Sequence, residues 1–258
     1  MIDKVIEVSK IAGGIIREGF GKNFSIELKG SLTNLVTEID KKSEAAIISY
    51  INKEFPGHAI LAEESGSHKS DSEYLWVIDP LDGTTNFAHG LPIFAVSIGV
   101  QKNGETICGV VYDVMNDSVF SVEKGSGAFR NDKKLKVSIN DDLRKSVLVT
   151  GFPYNINENP DHAIERFEVF LKKTRAIRRL GSAALDLCYV AAGVFDAFWE
   201  VQLHPWDVCA GNLLVEEAGG AVTDFSGNRM TLESVQILAT NSIVHREMIQ
   251  ILNHQRFH

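Results

Sequence analysis

The sequence of 258 residues contains few cysteines and no long apolar run. Cys108, Cys188 and Cys209 are odd in number, widely spaced and each in an apolar context. This pattern argues against a disulfide framework or a zinc site, and it predicts buried thiols in a reducing compartment. No apolar run approaches the roughly 18 residues of a membrane span, and the N-terminus lacks the apolar centre of a signal peptide. We therefore expect a cytoplasmic protein without a membrane partner.

The sequence also lacks an excess of positive charge. It has 26 Lys and Arg against 34 Asp and Glu, a formal net charge of −8. A negative protein does not attract nucleic acid or an anionic membrane, so neither is expected as its main partner. A phosphate ester remains a possible ligand if divalent cations reverse the local charge. No internal repeat, low-complexity tract or linker divides the chain.

Hydrophobic periodicity predicts an α+β protein. Residues 3–19 and 40–54 have the spacing of amphipathic helices. Short β-prone runs separated by turn residues follow, which predict antiparallel hairpins at 74–78, 94–100, 106–112, 118–122 and 128–130. Beyond residue 146 strands alternate with helices. The strands predicted there are 147–150, 176–179, 196–200, 221–223 and 237–239, and the helices are 162–173, 182–192, 207–218 and a C-terminal one.

Two mixed sheets covered by helices satisfy this order and give a layered α+β architecture. The composition changes only near residues 140–146. We expect an N-terminal half, residues 1–143, and a C-terminal half, residues 144–258, which form one compact unit.

The most informative segment is residues 76–87, Trp-Val-Ile-Asp-Pro-Leu-Asp-Gly-Thr-Thr-Asn-Phe. An apolar strand runs into Asp79 and Asp82, and two carboxylates three residues apart at a strand end can converge on one point. Gly83 and Thr84 follow, with free backbone N–H groups if a helical turn starts there. Carboxylates beside exposed amides predict a site for a hard cation that carries a phosphate. The alternative is a structural turn in which Asp caps a helix.

Other acidic residues admit the same two interpretations. Glu63 and Glu64 follow the short apolar run 59–62, another predicted strand, although adjacent glutamates are usually a solvated pair. Asp207 begins an apolar helix and Asp40 precedes one, so each by itself is typical of a helix cap. If these carboxylates converge, they raise one another's pKa values, and divalent cations are needed for all of them to ionise.

Taken together, these segments resemble the inositol monophosphatase family. Residues 76–87 are similar to the first signature of that family, and residues 206–211, Trp-Asp-Val-Cys-Ala-Gly, are similar to the second. The resemblance covers nearly the whole chain, with further matches at Lys29, Asp40, Glu63, Glu64, Gly181, Ser182, Ala183 and Glu200. It implies a five-layer αβαβα sandwich, two to three Mg²⁺ ions per active site, a homodimer and usually lithium sensitivity.

The resemblance also implies roles for individual residues. The implied ligands of the activating metal are Glu63, Asp79 and the backbone carbonyl of Leu81. Those of a second metal are Asp79, Asp82 and Asp207, and Glu63 with waters helps to hold a third. The implied catalytic residues are Thr84 and Asp40, which orient the attacking water, together with Glu63. The implied substrate-binding residues are Asp82, Gly83, Thr84, Gly181, Ser182, Ala183, Glu200 and Asp207.

The sequence leaves four polar residues near these motifs without a role. Lys29 is compatible with a contact to phosphate, to an acidic metal ligand or only to solvent, and Glu64 is compatible with a surface position. His89 and His204 have no suitable partner nearby in sequence to make them general acids. No G-x-S-x-G motif is present, which argues against a serine nucleophile.

The sequence therefore predicts a phosphatase that hydrolyses myo-inositol 1-phosphate, or a related sugar or polyol phosphate, with a metal-activated water. Other substrates of the same scaffold are alternatives: fructose 1,6-bisphosphate, adenosine 3′,5′-bisphosphate, histidinol phosphate and NADP(H). A regulatory protein that binds protein or RNA is an alternative of another class. A broken set of carboxylates or a basic surface stripe would favour it, and the sequence has neither.

Overall fold

The computed structural model describes residues 1–29 and 34–254. The α-helices in these residues are α1 (Ile2–Gly19), α2 (Glu38–Glu54), α3 (Thr84–Ala88), α4 (Ala163–Lys173), α5 (Ala183–Ala191), α6 (Pro205–Glu217) and α7 (His245–His254). The strands are β1 (Ile26–Leu28), β2 (Leu35–Thr37), β3 (Ala59–Ala62), β4 (Gly66–His68), β5 (Tyr74–Asp82), β6 (Ala95–Lys102), β7 (Glu105–Asp113), β8 (Ser118–Glu123), β9 (Gly127–Arg130), β10 (Lys133–Lys134), β11 (Val147–Thr150), β12 (Ala176–Arg178), β13 (Ala197–Val201), β14 (Ala221–Thr223) and β15 (Gln236–Thr240). Short 3₁₀ turns span Leu143–Lys145, Ile156–Glu158 and Pro160–His162.

Both large sheets are mixed, as predicted. The eight-stranded sheet has the order β10-β9-β8-β7-β6-β5-β3-β4, and its neighbours are antiparallel except for the parallel pair β3 and β5. The five-stranded sheet has the order β12-β11-β13-β15-β14, in which β11 is parallel to both of its neighbours. A separate antiparallel ribbon joins β1 and β2.

The layers follow from the alternation of side chains along each strand. On β13, Phe198 packs into a cluster with Leu187 of α5 and Leu213 of α6, between the two sheets. The next residue, Trp199, faces the opposite side of the sheet, where its ring centroid lies 4.7 Å from that of Phe170 on α4. The helices α1 and α2 cover the far face of the eight-stranded sheet. The order helix, sheet, helix, sheet, helix confirms the predicted αβαβα sandwich.

The first acidic motif lies within a strand, which corrects the prediction that the strand ends at residue 78. The strand β5 continues to Asp82 because it keeps pairing with β6, where Asp82 is opposite Ala95. The register shifts between Asp79 and Asp82, at the Pro80-Leu81 step. This irregularity re-aims side chains locally, as β-bulges do.

Two helices begin earlier than predicted, because Asp40 and Asp207 are not their caps. Thr37 is the N-cap of α2, and its backbone N–H donates to Asp40 Oδ2 at 2.9 Å. His204 is the N-cap of α6, and its backbone N–H donates to Asp207 Oδ2 at 2.6 Å. Each aspartate is therefore the third helical residue of a capping box, where its carboxylate is fixed by the cap backbone.

The two halves of the chain meet through α5 and α6. The predicted boundary at residues 143 and 144 falls between β10 and β11, that is, between the two sheets. One apolar cluster contains residues of both sheets and of both helices. The division into halves stays a prediction.

Two expectations about the whole chain concern the cysteines and the membrane. All three cysteines are buried and free, as predicted. Among the helices in the described part of the chain, none has the length and apolarity needed to cross a membrane.

The helix α6 lies close against the eight-stranded sheet because a glycine faces it. A Cβ at Gly99 of β6 would lie 2.4 Å from Cys209 Sγ and 3.3 Å from the backbone nitrogen of Ala210. Both distances are too short for ordinary contact, so the close approach requires glycine at this position. Since α6 carries Asp207 in its first turn, the same contact fixes how near Asp207 comes to β5.

We predict that Gly99→Ala lowers the free energy of unfolding by about 1–3 kcal/mol, because the added methyl group overpacks this contact. Gly14→Ala on α1 is the matched control, since its Cβ would meet no heavy atom within 4 Å. It should be neutral or stabilise by up to about 1 kcal/mol. Urea unfolding measures both, and Cys209→Ala added to Gly99→Ala should recover part of the loss. Equal stabilities of the two single variants would contradict the packing argument.

Candidate active site

Six carboxylates line one cavity of about 210 Å³, and four of them, those of Glu63, Asp79, Asp82 and Asp207, are the predicted metal ligands. The parallel pairing of β3 and β5 brings the first two together. Because Ala62 is opposite Ile78, the residues that follow them, Glu63 and Asp79, lie side by side at one edge of the sheet. The backbone N–H of Glu63 also donates to the carbonyl of Ile78 at 3.1 Å. The first turn of α6 adds Asp207 from the facing layer.

Burial and like charge both act on these carboxylates. Asp79 is only 2% exposed, and burial, followed by the charges of Glu63, Asp82 and Asp207, raises its pKa well above the usual value. Burial and then the charge of Glu63 likewise raise the pKa of Asp207. Burial raises the pKa of Asp82 to about 6, although Ser182 and Ala184 donate hydrogen bonds to its carboxylate. The folded chain thus holds several carboxylates where their ionisation is unfavourable.

Each of the four carboxylates also accepts a hydrogen bond from a nitrogen atom of the protein. The contacts are Lys29 Nζ to Glu63 (2.9 Å), Leu81 N to Asp79 (2.9 Å), Ala184 N to Asp82 (2.9 Å) and His204 N to Asp207 (2.6 Å). In this arrangement, residues 1–29 and 34–254 include no group of three or more His, Cys, Asp or Glu side chains that encloses a metal position. The side-chain atoms available as metal ligands are carboxylate oxygens, which fit a hard cation such as Mg²⁺ rather than a soft metal. A bound cation would also relieve the repulsion among the carboxylates.

Glu63 and Glu64 do not form a solvated surface pair. Lys29 Nζ lies 2.9 Å from Glu63 and 2.5 Å from Glu64. Burial raises the pKa of Glu64 to about 7, and its backbone N–H donates to Glu44 Oε2 at 2.9 Å. Of the roles considered for Lys29, the structure shows contact with acidic residues. Glu44 was not predicted as a site residue, although its position one helical turn after Asp40 places both residues on one face of α2.

The Thr84 hydroxyl is fixed by a hydrogen bond to the buried carboxylate of Asp40. Thr84 Oγ1 lies 2.9 Å from Asp40 Oδ1 and 3.0 Å from the carbonyl oxygen of Leu81. Asp40 is fully buried, and its other oxygen accepts hydrogen bonds from the backbone N–H and the hydroxyl of Thr37. Burial raises the pKa of Asp40, and the hydrogen bonds from Thr37 and Thr84 oppose this effect. The capping box of α2 therefore also fixes the position of the Thr84 hydroxyl.

The tight turn at Gly83 leads from β5 into α3 and lies against the loop before α5. Gly83 has φ of 97°, in the left-handed region that favours glycine. A Cβ there would lie 2.9 Å from the carbonyl oxygen of Ile93 and 3.2 Å from that of Gly181. Asn86 Nδ2 donates to the carbonyls of Ile93 and Leu180, each at 2.8 Å. Asn86 thus holds the loop at Gly181 against the first motif, a role that was not predicted from sequence.

The wall of the cavity opposite β3 is built by α5 and the end of β13. Burial raises the pKa of Glu200 on β13 to about 8, and the charge of Arg179 opposes this shift. Asp186 on α5 lines the same cavity and is only 1% exposed. Its Oδ1 has no hydrogen-bond partner among the described residues, and burial, followed by the charge of Glu200, raises its pKa well above the usual value. Arg179 and Asp186, which flank the predicted Gly-Ser-Ala turn, were not predicted as site residues.

The structure brings most of the predicted site residues to this cavity. Those that line it are Glu63, Asp79, Leu81, Asp82, Gly83, Thr84, Gly181, Ala183, Glu200 and Asp207. Two predicted residues do not line it. Asp40 lies behind Thr84, and Ser182 is buried with its hydroxyl donating to Asp82 Oδ2 at 2.5 Å. The individual roles stay predictions.

The two histidines that the sequence left open differ in position. His204 lines the cavity, where its ring stacks on Trp206 with 4.8 Å between centroids. Its backbone N–H donates to the carboxylate of Asp207. His89 lines a neighbouring surface with Phe152 and not this cavity.

The sequence as a whole is similar to those of known proteins. A sequence model described as the inositol monophosphatase family matches residues 1–256. The chain belongs to the inositol monophosphatase family. This membership confirms the resemblance seen in the sequence and makes the protein a phosphatase of that family.

The similarity to individual members extends over nearly the full length of this chain. An inositol-1-monophosphatase of Mesorhizobium japonicum is 38% identical over 253 residues, which cover 97% of this chain and 95% of that protein. A protein of Pasteurella multocida named Nus factor SuhB is 43% identical over 251 residues, which cover 96% and 94%. The solved structure of extragenic suppressor protein suhB from Bartonella henselae has a TM-score of 0.93 at 38% identity and covers 97% of each chain. The family and the αβαβα fold are thus shown together.

We predict that Glu200→Gln changes the pH dependence of stability. The pKa of Glu200 rises from 4.5 to about 8 on folding. Between these values the folded protein holds a proton that the unfolded chain releases, so wild-type stability falls as pH rises through this window. Glutamine carries no such proton. In chelator, the Tm of Glu200→Gln relative to wild type should therefore climb from about pH 4.5 to about pH 8 and then level off.

Thermal melts across this pH range measure the difference, with Glu233→Gln as the control because Glu233 is exposed. The control should show a Tm difference that does not change with pH. A flat difference for Glu200→Gln as well would show that Glu200 is not desolvated in the folded protein.

Proposed function

We propose that the protein is a Mg²⁺-dependent phosphatase that hydrolyses myo-inositol 1-phosphate, or a related sugar or polyol phosphate monoester. The observation that carries this proposal is the convergence of four carboxylates on the cavity that also contains the Thr84 hydroxyl. These side chains come from distant segments, and burial opposes the ionisation of the three aspartates. Strongly perturbed carboxylates gathered in one cleft favour a functional site over structural turns.

The oxygen atoms divide into sets for two principal ions. Glu63, Asp79 and the carbonyl of Leu81 would hold one Mg²⁺, and Asp79, Asp82 and Asp207 would hold a second. Glu63, with waters, would help to hold a third. When bound, Mg²⁺ lowers the pKa of a coordinated water and neutralises charge on the leaving oxygen.

Thr84 and Asp40 orient the attacking water. When Thr84 donates its hydroxyl hydrogen to Asp40, its oxygen keeps lone pairs that can accept a hydrogen from water. Because Asp40 is buried and held by Thr37, the hydroxyl has little freedom to turn away. The backbone amides of Gly83 and Thr84 lie at the same cavity, where they would donate to phosphoryl oxygens.

Glu200 favours a leaving group with hydroxyls. Its buried carboxyl faces the cavity and would accept a hydrogen bond from a substrate hydroxyl. A substrate without that hydroxyl would leave a buried polar group unpaired, which disfavours its binding. The relative named inositol-1-monophosphatase supports the same substrate class. Fructose 1,6-bisphosphate, adenosine 3′,5′-bisphosphate, histidinol phosphate and NADP(H) are the alternative esters.

Other properties of the proposal rest on the family resemblance alone. These are the lithium sensitivity, the homodimer and the cytoplasmic location. A regulatory role with a protein or RNA partner has one observation in its favour, the relative named Nus factor SuhB. The retained carboxylates and the net charge of −8 favour catalysis over that role.

Phosphate release from a panel of these esters at saturating Mg²⁺ tests the proposal. We expect kcat/KM to be highest for myo-inositol 1-phosphate. Asp79→Asn should lower kcat more than a thousandfold, about 4 kcal/mol of barrier, because Asp79 would be a ligand of both principal ions. Asp71→Asn is the matched control, since Asp71 is exposed and does not line the cavity.

Two results would contradict the proposal. One is an Asp79→Asn variant that keeps a tenth of the wild-type turnover at saturating Mg²⁺. The other is a folded wild-type protein that releases no phosphate from any ester of the panel.

A further inference from the structure

Asp186 is a buried carboxyl group in the wall of the active-site cavity, and the proposed reaction does not use it. It belongs to the first turn of α5 and is only 1% exposed, close to the 2% of Asp79. Its Oδ1 is enclosed by protein, and none of residues 1–29 and 34–254 donates a hydrogen bond to either oxygen. Oδ2 is not enclosed. Since Asp186 lines the cavity, Oδ2 is the atom that a bound ligand can reach.

Glu200 is a second carboxyl group of the same wall that accepts no hydrogen bond from the described part of the chain. It lies against the backbone of Gly151, where a Cβ would be 2.3 Å from each of its two oxygens. Glycine at this position therefore leaves room for the carboxyl group. After burial, the charge of Glu200 is the largest cause of the raised pKa of Asp186, so the two carboxyl groups are close enough to interact.

Both carboxyl groups favour the neutral, protonated form. Burial raises the pKa of Glu200 to about 8 and that of Asp186 well above its usual value, and the charge of Arg179 opposes both shifts only in part. A neutral carboxyl group has one O–H donor and keeps acceptor capacity. On Asp186 the proton can be donated to a ligand only from Oδ2, because Oδ1 is enclosed.

Hydroxyl groups match this pair of carboxyl groups better than ammonium or apolar groups do. A hydroxyl donates and accepts, so it can form a hydrogen bond with a neutral carboxyl group in either direction. An ammonium group only donates, and a neutral acid offers it no opposite charge. An apolar group would leave both buried carboxyl groups without a partner, which is unfavourable.

We propose that Asp186 is a specificity-determining residue, which binds a second hydroxyl of the leaving alcohol beside the one bound by Glu200. The preferred substrates are then phosphate monoesters of alcohols with two or more free hydroxyls, such as polyols and sugars. This inference rests on the proposed function, which supplies the phosphate ester. An alcohol without these hydroxyls would leave two buried polar groups unpaired, and a site of this kind discriminates strongly against such an analogue.

Calorimetric titration with phosphonate analogues tests the proposal without turnover, because a methylene group replaces the ester oxygen that would be cleaved. One probe is the analogue of myo-inositol 1-phosphate. The other is the analogue of cyclohexyl phosphate, which has the same ring size but no hydroxyl. Each is titrated into the whole protein at saturating Mg²⁺. Wild type should bind the inositol analogue at least about tenfold more tightly than the cyclohexyl analogue.

Variants of Asp186 should change this preference. Asp186→Leu keeps the branched shape of the side chain but removes both oxygens, so the preference for the inositol analogue should fall at least about tenfold. Asp186→Ala removes the same oxygens without adding volume and should give the same loss. Asp186→Asn keeps a hydrogen-bonding group at the cavity and should retain most of the preference. Asp71→Leu is the control at an exposed residue outside the cavity, and it should have no effect.

A double variant separates hydroxyl binding from mere support of Glu200. Glu200→Met keeps the approximate length of the side chain and removes its oxygens, so it should also lower the preference. If the two residues bind different hydroxyls, the fold losses of Glu200→Met and Asp186→Leu should multiply in the double variant. If Asp186→Leu has no further effect in the Glu200→Met background, Asp186 only positions Glu200 and the proposal is wrong.

Three other results would overturn the proposal. The first is that wild type binds the two analogues equally or binds neither. The second is that Asp186→Leu and Asp186→Ala keep the wild-type preference. The third is that wild type binds 3-aminopropylphosphonate more tightly than 3-hydroxypropylphosphonate and Asp186→Leu does not, which would make Asp186 an ammonium-binding residue. A protein that binds the inositol analogue as expected but releases no phosphate would contradict the proposed function and not this inference.

Discussion

Repulsion among buried carboxylates is the constraint on which the rest of this structure depends. Glu63, Asp79, Asp82 and Asp207 face one cavity, and burial raises the pKa values of the three aspartates. A chain selected only for stability would not hold these groups together, because the unfolded state relieves their repulsion. The arrangement is understandable if divalent cations bind there. It also explains how a protein with a net charge of −8 can take a phosphate ester as substrate.

Backbone contacts of the fold hold the carboxylates in place despite their mutual repulsion. The parallel register of β3 and β5 fixes Glu63 beside Asp79. Capping boxes at the starts of α2 and α6 hold the carboxylates of Asp40 and Asp207 with backbone N–H groups. The close approach of α6 to Gly99 fixes the distance between the layers. Because these contacts belong to elements with large apolar interfaces, the site is held by the whole sandwich rather than by its own interactions.

The parts that were predictable from sequence depend on local pattern. Alternating and helical spacing gave the order of the main helices and strands, and the Asp-Gly-Thr sequence at 82–84 indicated the turn into α3. The short strands β4 and β10 were missed, because they depend on pairing with longer neighbours. Glu44 and Asp186 were missed for a similar reason. Glu44 contacts the backbone of Glu64, 20 positions away, and Asp186 reaches the cavity through the packing of α5, which spacing does not encode.

The most direct test of the carboxylate cluster is a pair of melting curves, in chelator and in Mg²⁺, for wild type and Asp82→Asn. Asparagine can still accept the hydrogen bonds from Ser182 and Ala184, but it removes one charge. In chelator the variant should melt higher than wild type. At a hundredfold excess of Mg²⁺ over its dissociation constant, wild type should gain about 2.7 kcal/mol and the variant less. If the variant melts lower in chelator and both proteins respond equally to Mg²⁺, Asp82 is a structural turn residue and the metal-cluster interpretation is wrong.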